Sequence, residues 1–323
     1  MDSFSTLQAA IHQDPYDETA WLALADSLGE AGKDDSAEMV RLHWQLRQVE
    51  VPLQVELEQR LLELWERGTV CPVPTLQGPL GMLFVLVPPG AFWMGAIADE
   101  PWMDRDELPQ RRISLPHAFY ISTTPVTQKQ WETLQGHNPS QHPGPGRPVE
   151  RVAYWEAREF CTTLGRQLGR RCRLPSEFEW EYACRAGTSS MYASGNGVDA
   201  LRKIGWCSYD GEWDATGGTQ QVGRLRANAW GLYDMHGNVW EWCANVGEIL
   251  GHPPFQLMPP EDSRPADRAV RGGSYRGGPW FCRSAERSSR DASAREVNVG
   301  FRVLLEAPPR TGAVAGSDPP SVS

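Results

Sequence analysis

No run of this 323-residue chain approaches the roughly 20 apolar residues that a membrane span needs; the longest aliphatic and aromatic stretch, Leu83 to Val87, stops at Pro88 and Pro89. Cationic excess is missing too. Lys and Arg number 31 against 41 Asp and Glu, and the net charge of −10 argues against a nucleic-acid phosphate backbone as the main ligand. The seven cysteines, at 71, 161, 172, 184, 207, 243 and 282, are odd in number and include no C-x-x-C pair. Neither a disulfide framework nor a zinc ribbon is indicated, and most are expected to be small buried hydrophobes. A Gly-rich phosphate loop with Lys, an H-E-x-x-H helix and a G-x-S-x-G elbow are all absent. The N-terminus, MDSFSTLQAA, has an acidic second residue and no basic segment leading into an apolar run, so a cytoplasmic location is expected.

What the chain has in abundance is Trp (14), Gly (31) and Pro (26), a combination that suits an irregular, turn-rich fold filled by large aromatic plates. Its first 70 residues are different in character. Trp21, Leu22, Leu24, Ala25 and Leu28 form a helical stripe, Gly29 to Gly32 breaks it, and Met39, Leu42, Trp44 and Leu46 continue on a second helix. Residues 51–66 read as a further amphipathic helix. The stretch DPYDETAWLALADSLGEAGKDDSAEMVRLHWQL resembles one tetratricopeptide-style unit, closer to the short helical repeat-companion modules. One such unit cannot bury its face alone, so it must dock on something. Residues 71–80, CPVPTLQGPL, read as a linker. Beyond it short strand-like runs alternate with Gly, Pro and Asn breaks, and two helices are expected, over 150–165 and from the Ser176/Glu179 capping box to a stop at Gly187. The Pro, Gly and Ser tail at 307–323 is expected to be disordered.

From residue 81 ordered blocks emerge: FVLVPPGAFWMGA (84–96), FYISTTPVTQKQW (119–131), PVERVAYWEAREFC (148–161), RLPSEFEWEYACRAGT (173–188), NAWGLYDMHGNVWEWC (228–243), RGGSY (271–275) and GFRV (300–303). In this order they resemble the formylglycine-generating enzyme, or sulfatase-modifying factor, family across about 81–306. The resemblance implies an α+β, C-type-lectin-like domain low in regular secondary structure, preceded here by a small all-α module. It also implies a copper- and oxygen-dependent oxidase that turns a sulfatase-peptide cysteine into formylglycine, with Cu(I) held by two thiolates, a pairing that soft sulfur favours. Those thiols lie three and eight residues after the serine of RGGS. Here that serine is Ser274, and the two positions are Gly277 and Cys282.

One thiol is therefore missing from the expected pair, and a lone thiolate cannot hold Cu(I) in a two-sulfur geometry. Copper is not expected on this reading, and Cys282 reads either as a surviving ligand or as a buried core thiol, with Ser274 beside it to orient a substrate. The favoured expectation is a non-oxidase that binds a peptide or protein through a groove at Arg276, Trp280, Phe281, Arg283, Arg287 and Arg290, since guanidinium forks suit carboxylates and extended peptides. Internal ion pairs for these arginines are the alternative. The N-terminal helices are a second expected docking element for a partner. Two other functions stay open: the family's oxidase, and a variable ligand-binding protein of the diversity-generating-retroelement type. For the latter, Arg276, Gly277, Gly278, Phe281, Ser288, Ser289 and Arg290 all fit codons with two random bases and a final pyrimidine. Near 234–241, DMHGNVWE offers carboxylates from Asp234 and Glu241 and carbonyls from Gly237 and Val239, a donor set for a structural Ca²⁺. Trp230, Trp240 and Trp242 are expected in the core.

Overall fold

The computed structural model describes residues 3–48, 53–209, 217–244 and 267–308. Its N-terminal part is four helices, α1 (Ser3–Gln13), α2 (Glu18–Glu30), α3 (Asp34–Leu46) and α4 (Leu53–Glu66). Asp17 starts α2 by accepting from the Thr19 and Ala20 amides at 2.9 and 3.3 Å. Trp21, Leu24, Ala25 and Leu28 are buried as the periodicity predicts, whereas Leu22 points off that face and is exposed. These helices dock on the rest of the same chain. Trp65 donates to the Ala227 carbonyl at 2.8 Å, Trp230 donates to His43 Nδ1 at 2.8 Å, and Glu58 accepts from the Ser189 amide and hydroxyl at 2.9 and 2.7 Å. The face that a single helical unit has to cover is covered within this chain: Trp21, Leu61, Leu64 and Trp65 are at most 2% exposed.

The larger part is α+β. A five-stranded antiparallel sheet runs in the order β1 (Thr75–Gln77), β2 (Leu83–Val87), β5 (Phe119–Ser122), β13 (Leu304–Glu306), β6 (Cys172–Arg173), with strands numbered along the chain. Residues 75–77, read from sequence as linker, are thus an edge strand, with Thr75 opposite Val85. A second sheet has the order β11 (Arg287–Asp291), β10 (Asp267–Arg271), β9 (Trp240–Trp242), β12 (Val299–Gly300). Two pairs complete the set: β3 (Gly90–Met94) with β4 (Arg111–Leu115), and β7 (Gly205–Trp206) with β8 (His236–Gly237). Strands this short leave most of the backbone in turns, as the glycine and proline content implied.

Three helices of eight residues or more pack on these sheets, together with the one-turn α8 (Val198–Leu201). Helix α5 (Gln128–Gln135) is additional to the two expected helices and starts at a capping box of Thr127 and Gln130, with bonds of 2.9 and 3.3 Å. Helix α6 (Tyr154–Leu168) starts four residues later than expected, where Glu156 caps the Ala153 amide. Helix α7 (Glu177–Arg185) begins at Ser176 as predicted and ends one residue early, at Ala186 in the left-handed region. Trp230, Trp240 and Trp242 are buried, as are all seven cysteines, in agreement with the sequence reading. The tail, apart from residues 307 and 308, lies outside the described residues. Among the described residues no helix is long and apolar enough to cross a membrane.

If the helical module and the α+β part share one core, Trp65→Ala destabilises both together, by about 3–5 kcal/mol. Calorimetry should then show a single transition at lower temperature; two separated transitions, the later one unmoved, would contradict the shared core.

Candidate functional site

The site is organised by the parallel pairing of β7 with β8, in which Gly205 lies opposite His236 and Trp206 opposite Gly237. Both glycines are required by close approach. A Cβ at Gly205 would meet the His236 carbonyl at 2.6 Å, and one at Gly237, where φ is +87°, would meet the Trp206 carbonyl at 2.0 Å. The chain leaving β7 carries Cys207, and the next amide, Ser208, donates to the Gly277 carbonyl at 2.8 Å. Opposite, His236 Nδ1 meets the Cys282 carbonyl at 2.7 Å, while Nε2 accepts from the Ala193 amide at 3.2 Å. Burial pulls the His236 pKa down to about 4, so the ring is neutral with its proton on Nδ1, donating to Cys282.

These contacts bring the Cys282 thiol into the neighbourhood of Cys207. The neighbouring thiol and then burial push Cys282 well above the ordinary thiol pKa, while the Ser274 amide donates to its sulfur and opposes them. The sulfur of Cys282 also sits on the backbone of the R-G-G-S turn: a Cβ at Gly273, where φ is +72°, would lie 2.7 Å from it. At Gly277 the side-chain direction is occupied, since a Cβ there would meet the Phe281 ring at 2.8 Å. Ser274 is buried, and its hydroxyl accepts from Asn298 at 3.0 Å.

The arginines expected to line a ligand groove are largely committed inside the protein. Arg283 is fully buried and bonds Glu107 through two nitrogens at 2.6 Å each, Glu100 at 3.0 Å and Glu286 at 2.9 Å. Arg287 grips Glu177 at 2.8 and 2.9 Å, and Arg290 bonds Ser288 Oγ at 2.7 Å and Glu296 at 3.3 Å. The ligand role expected for Arg283 and Arg287 is thus corrected to a scaffold role. Carboxylate oxygens of Asp104, Glu107 and Glu286 all lie within 4.8 Å of one another, with Arg283 bonded to two of the three residues. Burial, and then Glu107 and Asp104, raise Glu286 to about 8, against the pull of Arg283. Arg276 is half-buried.

The aromatic members of the expected groove remain at the surface. Trp280 is 38% exposed and packs against Trp102, 53% exposed, with ring centroids 6.2 Å apart; Phe281, half-buried, lies 5.7 Å from Trp280. Arg283 reaches both loops from beneath, donating to the Trp280 carbonyl at 3.0 Å and the Trp102 carbonyl at 2.8 Å. Trp102 and Cys207 were not singled out from sequence. No local spacing betrays Cys207, because only the β7 and β8 pairing brings it to a residue 75 positions away.

The residues expected to hold Ca²⁺ meet around one turn, but their carboxylates have protein partners. Glu241 accepts from Arg302 at 2.6 and 2.8 Å and from Trp180 at 2.7 Å, so its charge is already neutralised. Asp234 accepts from the Gly223 amide at 2.7 Å and from Asn238 at 3.3 Å. Gly237 donates its amide to the Gly272 carbonyl at 2.7 Å, and Val239 is buried.

Comparison with known proteins agrees with this geometry. Residues 81–307 match the sulfatase-modifying factor enzyme 1-like domain. The chain belongs to that family. A formylglycine-generating enzyme of Mycobacterium tuberculosis is 35% identical over 181 residues, which cover 50% of this chain and 58% of that protein. The chain spans only about half the length of the first curated relatives it matches. Two solved structures share the fold: variable protein 1 of Treponema denticola (TM-score 0.60, 25% identity, 72% of this chain and 98% of that one) and PvdO from Pseudomonas aeruginosa (TM-score 0.62, 27% identity, 72% and 97%).

Burial raises the Asp234 pKa to about 6, so the folded state holds a proton that the unfolded state has lost between about pH 4 and 6. Stability contributed by this group is full below pH 4 and falls by up to about 3 kcal/mol as pH rises through 6. Asp234→Asn should flatten that slope in pH-dependent denaturant melts and leave the protein at least as stable at pH 7. A midpoint that millimolar Ca²⁺ raises in the parent and not in Asp234→Asn would contradict this and restore the calcium reading.

Proposed function

We propose that the chain is a member of the family that recognises a peptide or an extended protein segment at the face formed by residues 97–104 and 276–281. The observation that carries this reading is the exposed Trp102 and Trp280 pair. Large aromatics at a surface are the usual energetic anchors of an interface. Here they are also held ready. One buried guanidinium, Arg283, bonds the backbone carbonyls of both tryptophans, so the face needs little ordering when a ligand arrives. Trp102 and Asp99 adopt left-handed backbone conformations, at φ +63° and +70°, which gives the 97–104 loop a specific turn shape. Ile97 extends the apolar patch, and Asp99 and Asp104 at its edge are exposed carboxylates. The fitting ligand is a segment with an apolar or aromatic side chain flanked by Lys or Arg, a charge pattern that the net charge of −10 also favours.

Of the seven positions compatible with codon diversification, Gly277 and Gly278 are buried and the other five are half-buried, and the fold is shared with a variable protein. The family match over residues 81–307 favours a second reading, in which a bound peptidyl cysteine is oxidised with copper and oxygen, as the family resemblance implies. Oxygen uptake driven by a cysteine-containing peptide separates the two.

Selection of a random peptide library on the full chain should enrich sequences of the stated chemistry. Each of Trp102→Ala and Trp280→Ala should then weaken the selected peptides about 10- to 30-fold, an anchor worth about 2 kcal/mol. Selected peptides that bind the double variant as tightly as the parent would overturn the proposal.

A further inference from the structure

We infer that the seam between the helical module and the α+β body binds a small monovalent anion, chloride or a small carboxylate, in a cavity lined by His43, Arg47, Trp93 and Arg112. None of the cavity's residues belongs to the recognition face, so either reading can fail alone.

The walls come from both parts of the chain. His43 lies on α3 and Arg47 caps its C-terminus, while Trp93 on β3 stands opposite Arg112 on β4, so that these two side chains share one face of the hairpin. Two of the four carry a buried N–H that no acceptor meets among the described residues. One is Trp93 Nε1. The other is His43 Nε2: its Nδ1 accepts from Trp230 at 2.8 Å, and burial, then Arg47, pulls the pKa down to about 3, so the neutral ring keeps its single proton on Nε2. Buried polar groups in native proteins are nearly always satisfied, by protein, by water or by an ion.

Charge decides in favour of an ion. Three arginines line the cavity and no Asp or Glu does. Arg185 is neutralised by Glu181 at 2.8 Å. Arg47, only 7% exposed, donates to the uncharged carbonyls of His43 and Pro89 at 3.1 and 3.3 Å and stacks on Trp44, 4.1 Å from the ring centroid. Among the described residues no carboxylate pairs with Arg47 or Arg112. Burial lowers Arg47 only to about 10, which leaves it charged at neutral pH. A water could accept from the two N–H groups, but it would leave the cation uncompensated and bring two further protons; an anion meets both demands at once. The cavity, about 20 Å³ where one water takes roughly 10–15 Å³, suits chloride or the two oxygens of a carboxylate and is too small for phosphate or sulfate. An anion held there joins α3 to the β3–β4 hairpin and stabilises the docked chain by mass action.

The test is urea unfolding of the full chain at constant ionic strength, with bulky isethionate replaced stepwise by chloride or by formate. The midpoint should rise saturably with one or both, and which of them acts identifies the source of the negative charge. Trp93→Phe, which deletes the indole N–H and keeps a ring, and Arg112→Gln should each weaken the apparent affinity about 10-fold or more, the worth of one hydrogen bond to a charged group. Arg41→Gln, which removes a surface partner of Asp26, should respond as the parent does. Should the cavity variants not fold, crystals of the parent grown in bromide or formate decide: density for the anion is expected within hydrogen-bonding distance of His43 Nε2 and Trp93 Nε1. Water at that position in both salts, no preference for the small anions over isethionate, or parent-like affinity in Trp93→Phe would overturn the inference.

Discussion

The parallel pairing of Gly205–Trp206 with His236–Gly237 is the constraint on which the site depends. It is only two residues long on each side, yet it sets the exit direction of Cys207, the depth of His236 and the approach of the R-G-G-S turn. Two glycines make it possible, for a methyl group at either would collide with backbone carbonyl oxygen at 2.6 Å or less. His236 converts the pairing into a tertiary link by holding the carbonyl of Cys282, and Ser208 does the same for Gly277. The placement of the two cysteines thus follows from backbone geometry, with the side chains arriving where the turns send them.

Around this point the fold is held by buried arginines, three of them matched to carboxylates on a distant segment: Arg271 to Glu181, Arg283 to Glu100 and Glu107, and Arg302 to Glu241, while Arg185 pairs with Glu181 on its own helix and Arg283 also with the nearby Glu286. In a domain with such short strands, these forks do what long ladders do elsewhere, tying loops of remote sequence into one register. Such pairs are weak evidence of net stability, because desolvation offsets the attraction, but removing one partner strands a buried charge at about 3–5 kcal/mol. Their occupancy leaves aromatic rings as the anchors of the proposed recognition face. The guanidinium of Arg283 is consumed in the scaffold, and what it presents to solvent is the pair of tryptophans whose carbonyls it holds.

The α+β architecture, the helical module and the Ser176 cap were legible in sequence because each rests on local chemistry: periodicity, turn residues and a Ser-x-x-Glu box. The edge strand at Thr75–Gln77 was hidden by the prolines and glycine around it, and its identity as a strand comes only from its neighbour β2. The helix at Gln128–Gln135 carried a readable Thr-x-x-Gln signal that was overlooked. In the site, Ser274 and Cys282 were found through a motif, but the roles of Arg283 and Arg287 depended on carboxylates 100 or more residues away. Cys207 was invisible for the same reason, since 75 residues separate it from Cys282 and nothing local marks it.

Hydrogen–deuterium exchange of the full chain with and without a peptide selected on it tests the proposed recognition face most directly, because it locates the backbone that the ligand covers. Protection concentrated in residues 97–104 and 276–281 is the predicted result. Protection confined to other segments would contradict the account.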